Sequence, residues 1–560
     1  MSAAVADGLE ALLGPAGDAG NPLGFEAVLA ADERGEPPAG ARALDAFGMA
    51  AEFVPAELGG RFDAADRMAR ALRPLARRDP ALLLGQGLVG LIAAAPVWTG
   101  GDRDQRERVA RLLLDGGLLA IGFTELDHGA DLARTELRAR LADGRYLLHG
   151  GKQMINGIDR ADAALLLART GDGNPGRDHS LLLTDLRGGP GPTTRFLPRF
   201  PLSAVRGCRL GGVEFTGRPV PPENLVGGEG RALELVARAF QLTRATIPGM
   251  MIGSLDTLLR TTLDFATRRR LYGHPVAGLP HASGELAGAF ADLLACDAMA
   301  TVAARSLHLL PGEASVSSAL TKYLVPELAR DAADRLGVVL GARSYLREGP
   351  HAVFQKHLRD LPVLAVGHAG GTVCLASVIP QLPALARRAG TGGEAPPAAL
   401  FQPGAPLPPL PFDRLAVGAR GRDTVAGLWT APPGDLPEPL AGLCALFTAE
   451  AARVRERAAA LPPRDRTVTA GPDGFDLAAR YAALWAAASC LGVWRHAPDR
   501  APSTPGDDAW AVVALHRLAV RLGLRREPPP GDHAARLHRT LLQRLEEHRS
   551  FDLSAEPLAI

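Results

Sequence analysis

Two short stretches set chemically able side chains at close spacing. The first, Thr124-Glu125-Leu126-Asp127-His128-Gly129-Ala130-Asp131, places a hydroxyl, carboxylates and an imidazole around a glycine. The second, His149-Gly150-Gly151-Lys152-Gln153-Met154-Ile155-Asn156-Gly157, follows after an alternating run. A turn at Gly129 can present backbone N–H groups to a phosphate, and an imidazole with a pKa near ~6.5 is largely neutral at pH 7 and able to accept a proton. Each feature has a plainer use. Glu125 and Asp131 serve as turn and helix caps, His128 is a solvated loop histidine, and Gly150-Gly151 is a hairpin turn with Lys152 as its solvated flank. Arg268-Arg269-Arg270 either grips phosphate or is the basic end of a helix that stops at Gly273. Gly227-Gly228-Glu229-Gly230 carries no dinucleotide reading, because such pieces arise by chance in a chain with 64 glycines.

The elements that must position these groups follow from periodicity. Residues 1–118 show apolar positions at three- and four-residue spacing between Gly/Pro breaks, as in Ala64–Leu72 and Asp104–Leu113, which predicts a helical unit. From 119 to 228 the pattern alternates, as in Tyr146-Leu147-Leu148-His149, and predicts a small β domain of short antiparallel strands. From 229 to 389 long amphipathic stretches, among them Leu233–Thr267 and Ser315–Leu340, predict an antiparallel helix bundle. Residues 390–411 are dominated by Gly, Pro and Ala and predict an extended linker. The Ala/Leu/Arg patterns of 412–560 predict a second helical unit, and no repeat of fixed period is visible. The fold class is therefore mainly α with one small β domain.

Composition removes several classes of function. The 62 basic and 61 acidic side chains nearly cancel, so no global field attracts nucleic acid or an anionic membrane. The five cysteines stand far apart with no Cys-x-x-Cys pair, against both a zinc ribbon and a disulfide framework, and no metal site is expected. The start, MSAAVADGLEALLG, lacks the features of a secretion signal, and no run of about eighteen uncharged apolar residues marks a membrane span. A cytoplasmic protein is expected.

The two opening motifs resemble the T-E-P-x-A-G-S-D and N-G-x-K-x-W-I-[ST]-N-G segments of the acyl-CoA dehydrogenase family, and the resemblance runs on through residues 20 to 390. Leu210–Phe215 with Pro222-Glu223-Asn224-Leu225-Val226-Gly227 is similar to the family's F-x-x-V-x-V-P-x-E-N-x-L-G. Arg269-Arg270-Leu271-Tyr272-Gly273 resembles its R-x-x-F-G turn, and Val338–Glu348 falls where the family has Q-x-x-G-G-x-G-Y-x-x-E. The family layout is a helical domain, a β domain and a long-helix bundle, here followed by an extension. The resemblance implies FAD held by Thr124, by the Gly129-Ala130 turn, and by Met154 and Asn156 in place of an aromatic and a Ser/Thr. It implies Arg269 and Tyr272 reaching a pyrophosphate across a subunit boundary, with Val338, Gly341 and Ala342 in the dinucleotide site. A homodimer handling an acyl-CoA or acyl carrier protein thioester is the assembly it implies.

The family's chemistry needs a base opposite the flavin to take an α-proton from the thioester, usually the glutamate of I-Y-E-G-T. That position, eight residues after Asp360, holds His368, or Gly370 if Gly371-Thr372 is the motif's G-T. The alternative glutamate site, immediately before an arginine, holds Thr243 before Arg244. His368 is thus the candidate base. Two functions compete: an FAD-dependent oxidoreductase at the α/β carbons of an acyl thioester with altered chemistry, in a specialised biosynthetic pathway, or a flavin-poor homologue that acts as partner subunit or carrier-binding protein.

Overall fold

In the computed structural model, residues 2–174, 176–367, 369–389, 395–501 and 503–559 are described. Short helices fill residues 2–114, among them α1 (Arg73–Arg78) and α2 (Val89–Gly100). Eight strands follow: β1 (Leu119–Gly122), β2 (Arg138–Ala142), β3 (Arg145–Asn156), β4 (Ala163–Arg169), β5 (His179–Asp185), β6 (Thr194–Leu197), β7 (Leu210–Val220) and β8 (Leu225–Val226). They form one sheet in the order β6-β7-β3-β2-β4-β5-β8, with β1 added parallel to β4.

The side-chain alternation of the strands explains how the sheet is clamped. In β4 and β5, Leu165, Leu167, Leu181 and Leu183 point into the main helical core, while Ala164, Leu166, Ala168 and Leu182 point into the sheet's own core. A period of two therefore serves two cores, and the strands look uniformly apolar because both faces are covered.

The glycine pair does not make the hairpin. The β2–β3 turn is Asp143-Gly144, both at positive φ (49° and 72°), whereas Gly150-Gly151 lies inside β3. There the neighbouring strand comes close: a Cβ on Gly151 would stand 3.0 Å from Glu214 Cγ and 3.1 Å from Val213 O.

The bundle consists of α3 (Ala232–Arg268), α4 (Pro280–Leu309) and α5 (Ala314–Leu340), with α3 and α5 within a residue or two of the limits expected for them. After it come α6 (Val353–Asp360), α7 (Val363–Val366) and α8 (Gly371–Val378), then α9 (Leu440–Ala459), α10 (Pro472–His496), α11 (Asp508–Arg521) and α12 (His533–Glu546). By length and composition α4 and α10 could each cross a membrane, a feature the search for uninterrupted apolar runs overlooked, yet 100% and 83% of their apolar windows are buried inside this fold. Helix α4 is apolar on all sides because α3 and α5 cover one side and α10, α11 and α12 the other.

The composition of 390–411 suggested a linker, but its described part is a packed strap. Arg305 of α4 donates to Ala399 O (2.6 Å) and Ala405 O (2.9 Å), and His308 Nδ1 lies 2.8 Å from Pro408 O. A Pro-rich extended chain leaves its carbonyls without internal partners, so it accepts from side chains instead. Phe401 is buried against Gly492, where a Cβ would come 2.3 Å from the ring. Arg305 also pairs with buried Asp66 at 2.7 Å. Arg305→Met removes the partner of that carboxylate and of the strap carbonyls; a loss of about 3 kcal/mol in unfolding free energy is expected from urea denaturation.

Candidate functional site

The Thr124–Asp131 turn is fastened to β3 by a buried ion pair. Lys152 Nζ lies 2.7 Å from Glu125 Oε1 and also donates to Thr135 Oγ1 (3.1 Å) and Phe123 O (3.3 Å). Glu125 further accepts from the Glu136 and Leu137 amides, at 2.7 and 3.1 Å. Lys152 is fully buried, which corrects the reading of a solvated hairpin charge, and Glu125 caps the turn as expected. Burial works against the Glu125 charge, but the Lys152 ammonium and the two amides outweigh it and hold the carboxyl below its usual range. Burial lowers Lys152 to about 8 against the opposing pull of Glu125, so it still carries its proton at pH 7.

On this frame the exposed groups are set out. Gln153 N donates to Thr124 O (2.9 Å), which lays the turn beside the next residue, Met154. Met154 sits at φ 56° in a bulge between Lys152 and Ile155 and is 37% exposed. Gly129 (φ 43°) and Ala130 are exposed at the turn, but the Gly129 amide is already bonded to Glu125 O. His128 is tied to Glu136 at 2.8 Å, so it braces the turn. Asn156 differs from its expected role, because Nδ2 donates to Leu84 O (3.0 Å) and Oδ1 accepts from Arg209 N (3.0 Å). Its amide is a bracket between β3, β7 and the N-terminal helices.

Leu84 connects this face to the helical side. Besides Asn156, it packs with Leu202 and Val363 on the small core of Ala81, Val205 and Cys208. The 200–208 loop and α7 therefore meet at this small core, to which the end of β3 is tied through Leu84. Beneath them lies a buried ion network: Lys356 Nζ is 2.5 Å from Asp79, 2.7 Å from Asp360 and 3.8 Å from Asp32, and Arg359 bonds Asp32 and Asp360. Asp360 also accepts from Val205 N (2.8 Å). Burial opposes the Asp360 charge, but the Lys356 and Arg359 cations prevail and lower its pKa. These carboxylates are committed to cations and are not poised as bases.

Val366, at the end of α7, is 69% exposed. The next residue but one, His368, lies outside the described residues, so its predicted place is not described. Thr243 is buried and donates to Phe240 O (3.1 Å), which leaves no carboxylate there. Arg269, Tyr272, Val338, Gly341 and Ala342 are all exposed; Tyr272 is 91% and Val338 70% bare. Gly341 ends α5 at φ 64°, a conformation that favours glycine.

The donor set fits the flavin that the motifs imply at the Thr124 turn, at the exposed Met154 thioether and at the outward Arg269 guanidinium, and does not fit it at Asn156. Sequence reasoning missed Lys356, Asp79, Asp32 and Lys322. A Lys356/Asp360 pair at i,i+4 was a usable signal for the first, as was a lysine inside the apolar run Ala319–Val325 for the last.

Residues 120–217 match the family model for the acyl-CoA dehydrogenase middle domain, and residues 230–373 the model for its C-terminal domain. An acyl-CoA dehydrogenase of Emericella nidulans is 27% identical over 298 residues, 51% of this chain and 66% of its own length. An L-prolyl peptidyl-carrier-protein dehydrogenase of a Serratia species is 24% identical over 51% of this chain and 73% of its own. The crystal structure of an acyl-CoA dehydrogenase complexed with FAD from Bacillus anthracis matches with a TM-score of 0.73 at 15% identity, over 98% of this chain and 95% of its own. At that identity the likeness establishes the fold, and it extends to the residues beyond the strap.

Proposed function

This chain belongs to the acyl-CoA dehydrogenase family, and on that premise we propose that it is an FAD-dependent oxidoreductase acting at the α and β carbons of an acyl thioester. The observation that carries the reading is the junction near Leu84, where the end of β3, two residues after Met154, is tied through Asn156 to the N-terminal helices beside the small core on which α7 packs. FAD bound there supplies a hydride acceptor. The Thr124 hydroxyl and the Met154 thioether serve the ring, and Arg269 serves the phosphates of a neighbouring copy's dinucleotide in a homodimer. The exposed Tyr272 beside Arg269 supports that assembly. The carrier-protein relative supports a carrier-bound thioester, as in specialised biosynthesis, alongside CoA. His368 occupies the base position in sequence, and five unpaired thiols suit the cytoplasm.

The purified protein is expected to be yellow, with absorbance between roughly 350 and 500 nm from flavin released on denaturation. A colourless preparation with no releasable flavin refutes the redox reading. His368→Ala is expected to lower turnover at least ~100-fold, the usual scale for a general base, with flavin content unchanged. Unchanged turnover removes it from the mechanism. A second reading, a non-redox family member that lends Arg269 to an intact partner, is favoured by the committed Asn156 amide. Co-purification of a flavin-bearing second chain distinguishes it.

A further inference from the structure

A cavity of about 650 Å³ opens where three parts of the chain meet: the first turns of α3, the segment that follows α8, and residues 413–421 downstream of the strap. None of the three belongs to the β domain that carries Thr124 and Met154. Residues 413–421 are tied across the gap at both ends. At one end Arg238 of α3 donates to Leu415 O (2.7 Å) and Asp413 O (2.8 Å), and Gln241 donates to Ala416 O (2.7 Å). At the other, Gln381 accepts from Ala419 N (2.8 Å), and Gly421 lies so close to the short helix Leu382–Arg388 that a Cβ there would stand 2.8 Å from Ala384 O. Long polar side chains make most of these ties, so the space between them stays open.

Three arginines line this cavity, Arg238 on one wall and Arg414 and Arg420 on the other. Arg238 is met by carbonyls and by no carboxylate among the described residues, and the exposed Arg414 and Arg420 make no ion pair among them. Of the lining acids, Glu234 is shared with Arg231 at 3.2 Å, which leaves Asp413 to offset three positive charges. A monocarboxylate occupies one guanidinium, whereas a phosphate monoester, with about two charges at neutral pH and three acceptor oxygens, is matched to several. Pro380, Ala384, Leu415 and Val417 leave an apolar wall beside the arginines, and the volume lies within the ~300–1,000 Å³ of small-molecule sites. We propose that this cavity binds a phosphorylated small organic molecule, its phosphate held by Arg238, Arg414 and Arg420 and its body laid against the apolar wall. The site stands independently of the thioester reading above.

The test is titration calorimetry of the full-length protein with ADP, inorganic pyrophosphate and adenosine. ADP is expected to bind at least ~10-fold more tightly than adenosine, less tightly as salt is raised, and to slow amide hydrogen exchange at residues 413–421. The double variant Arg414→Gln/Arg420→Gln should lose at least ~10-fold of that affinity with melting temperature and flavin content unchanged, since both side chains are exposed. Pyrophosphate should bind more weakly than ADP because it leaves the apolar wall bare; affinity equal to that of ADP refutes the organic body. The proposal is overturned if neither ADP nor pyrophosphate binds, or if adenosine binds as well as ADP. It is overturned equally if ADP affinity survives the double variant, which places the nucleotide in the flavin or thioester site instead. A colourless protein that still gives the expected titrations refutes the redox reading alone.

Discussion

Lys356→Met is expected to lower the unfolding free energy by about 3–5 kcal/mol, because it leaves several carboxylates buried around an empty cation position. Lys356 is fully buried between Asp79 and Asp360 with Asp32 behind them, so water cannot take its place. The loss should reach the candidate site as well, since Asp360 also holds the Val205 amide and so fixes the 200–208 loop against α7. A urea series at pH 7 measures the first effect, and accessibility of the Cys208 thiol, buried in that loop, measures the second. Lys356→Arg should lose less, because it keeps the charge. The pH dependence has a defined sign. Asp360 is depressed in the folded chain, so its stabilisation is present above the ordinary aspartate range and disappears as pH falls through its folded pKa. Lys356 is raised once its acids outweigh burial, so its contribution holds at neutral pH and fades only as strong alkali removes the proton. A midpoint insensitive to Lys356→Met refutes this account of the junction.

The second large effect belongs to the β domain. Lys152→Met alone, which strands Glu125, is expected to cost about 3–5 kcal/mol, whereas Lys152→Met with Glu125→Gln should recover part of it, since the buried charge is removed and the glutamine oxygen can still accept from one of the Glu136 and Leu137 amides, which bond different oxygens of Glu125. The folded-state pKa of Glu125 lies below its unfolded value, so the wild-type protein should weaken as pH drops below ~4.5 and the Glu125→Gln variant should weaken less over that window. Urea midpoints at pH 7 and pH 4 check both statements. If the double variant is no more stable than Lys152→Met, the two residues are not coupled. The consequence for the site is direct: this pair sets the turn bearing Thr124 beside the bulge bearing Met154.

Much of the architecture could be read in advance because its signals are local. Helices α3 and α5 begin and end within a residue or two of their apolar repeats, and the alternation of residues 119–228 marked the sheet. What escaped were decisions made by distant partners. Gly150-Gly151 looks like a turn in isolation, but β7 passes so near that only small residues suit the strand there, while Asp143-Gly144 takes the positive φ angles. Lys152 looks solvated until Glu125, 27 residues earlier, is laid over it. Asn156 looked like a flavin ligand because sequence gives its chemistry but not its company, which is Leu84 and the Arg209 amide. The strap resembled a linker because Pro and Gly signal an extended chain equally well whether it is free or bonded by Arg305 and His308. The positions of Thr124, Met154 and Arg269 were legible from spacing; the buried charges behind them were not, since counter-ions such as Asp32 and Lys356 are separated by hundreds of residues.

The sheath around α4 also sets a timetable for biosynthesis. When Pro280–Leu309 leaves the ribosome, the helices that will cover its outer side have not been made, and the first of them begins about 160 residues later. Throughout that interval the nascent chain carries a greasy rod long enough for a bilayer. Chaperone demand during translation should therefore peak before α10 emerges, and fall once the last three helices close over it.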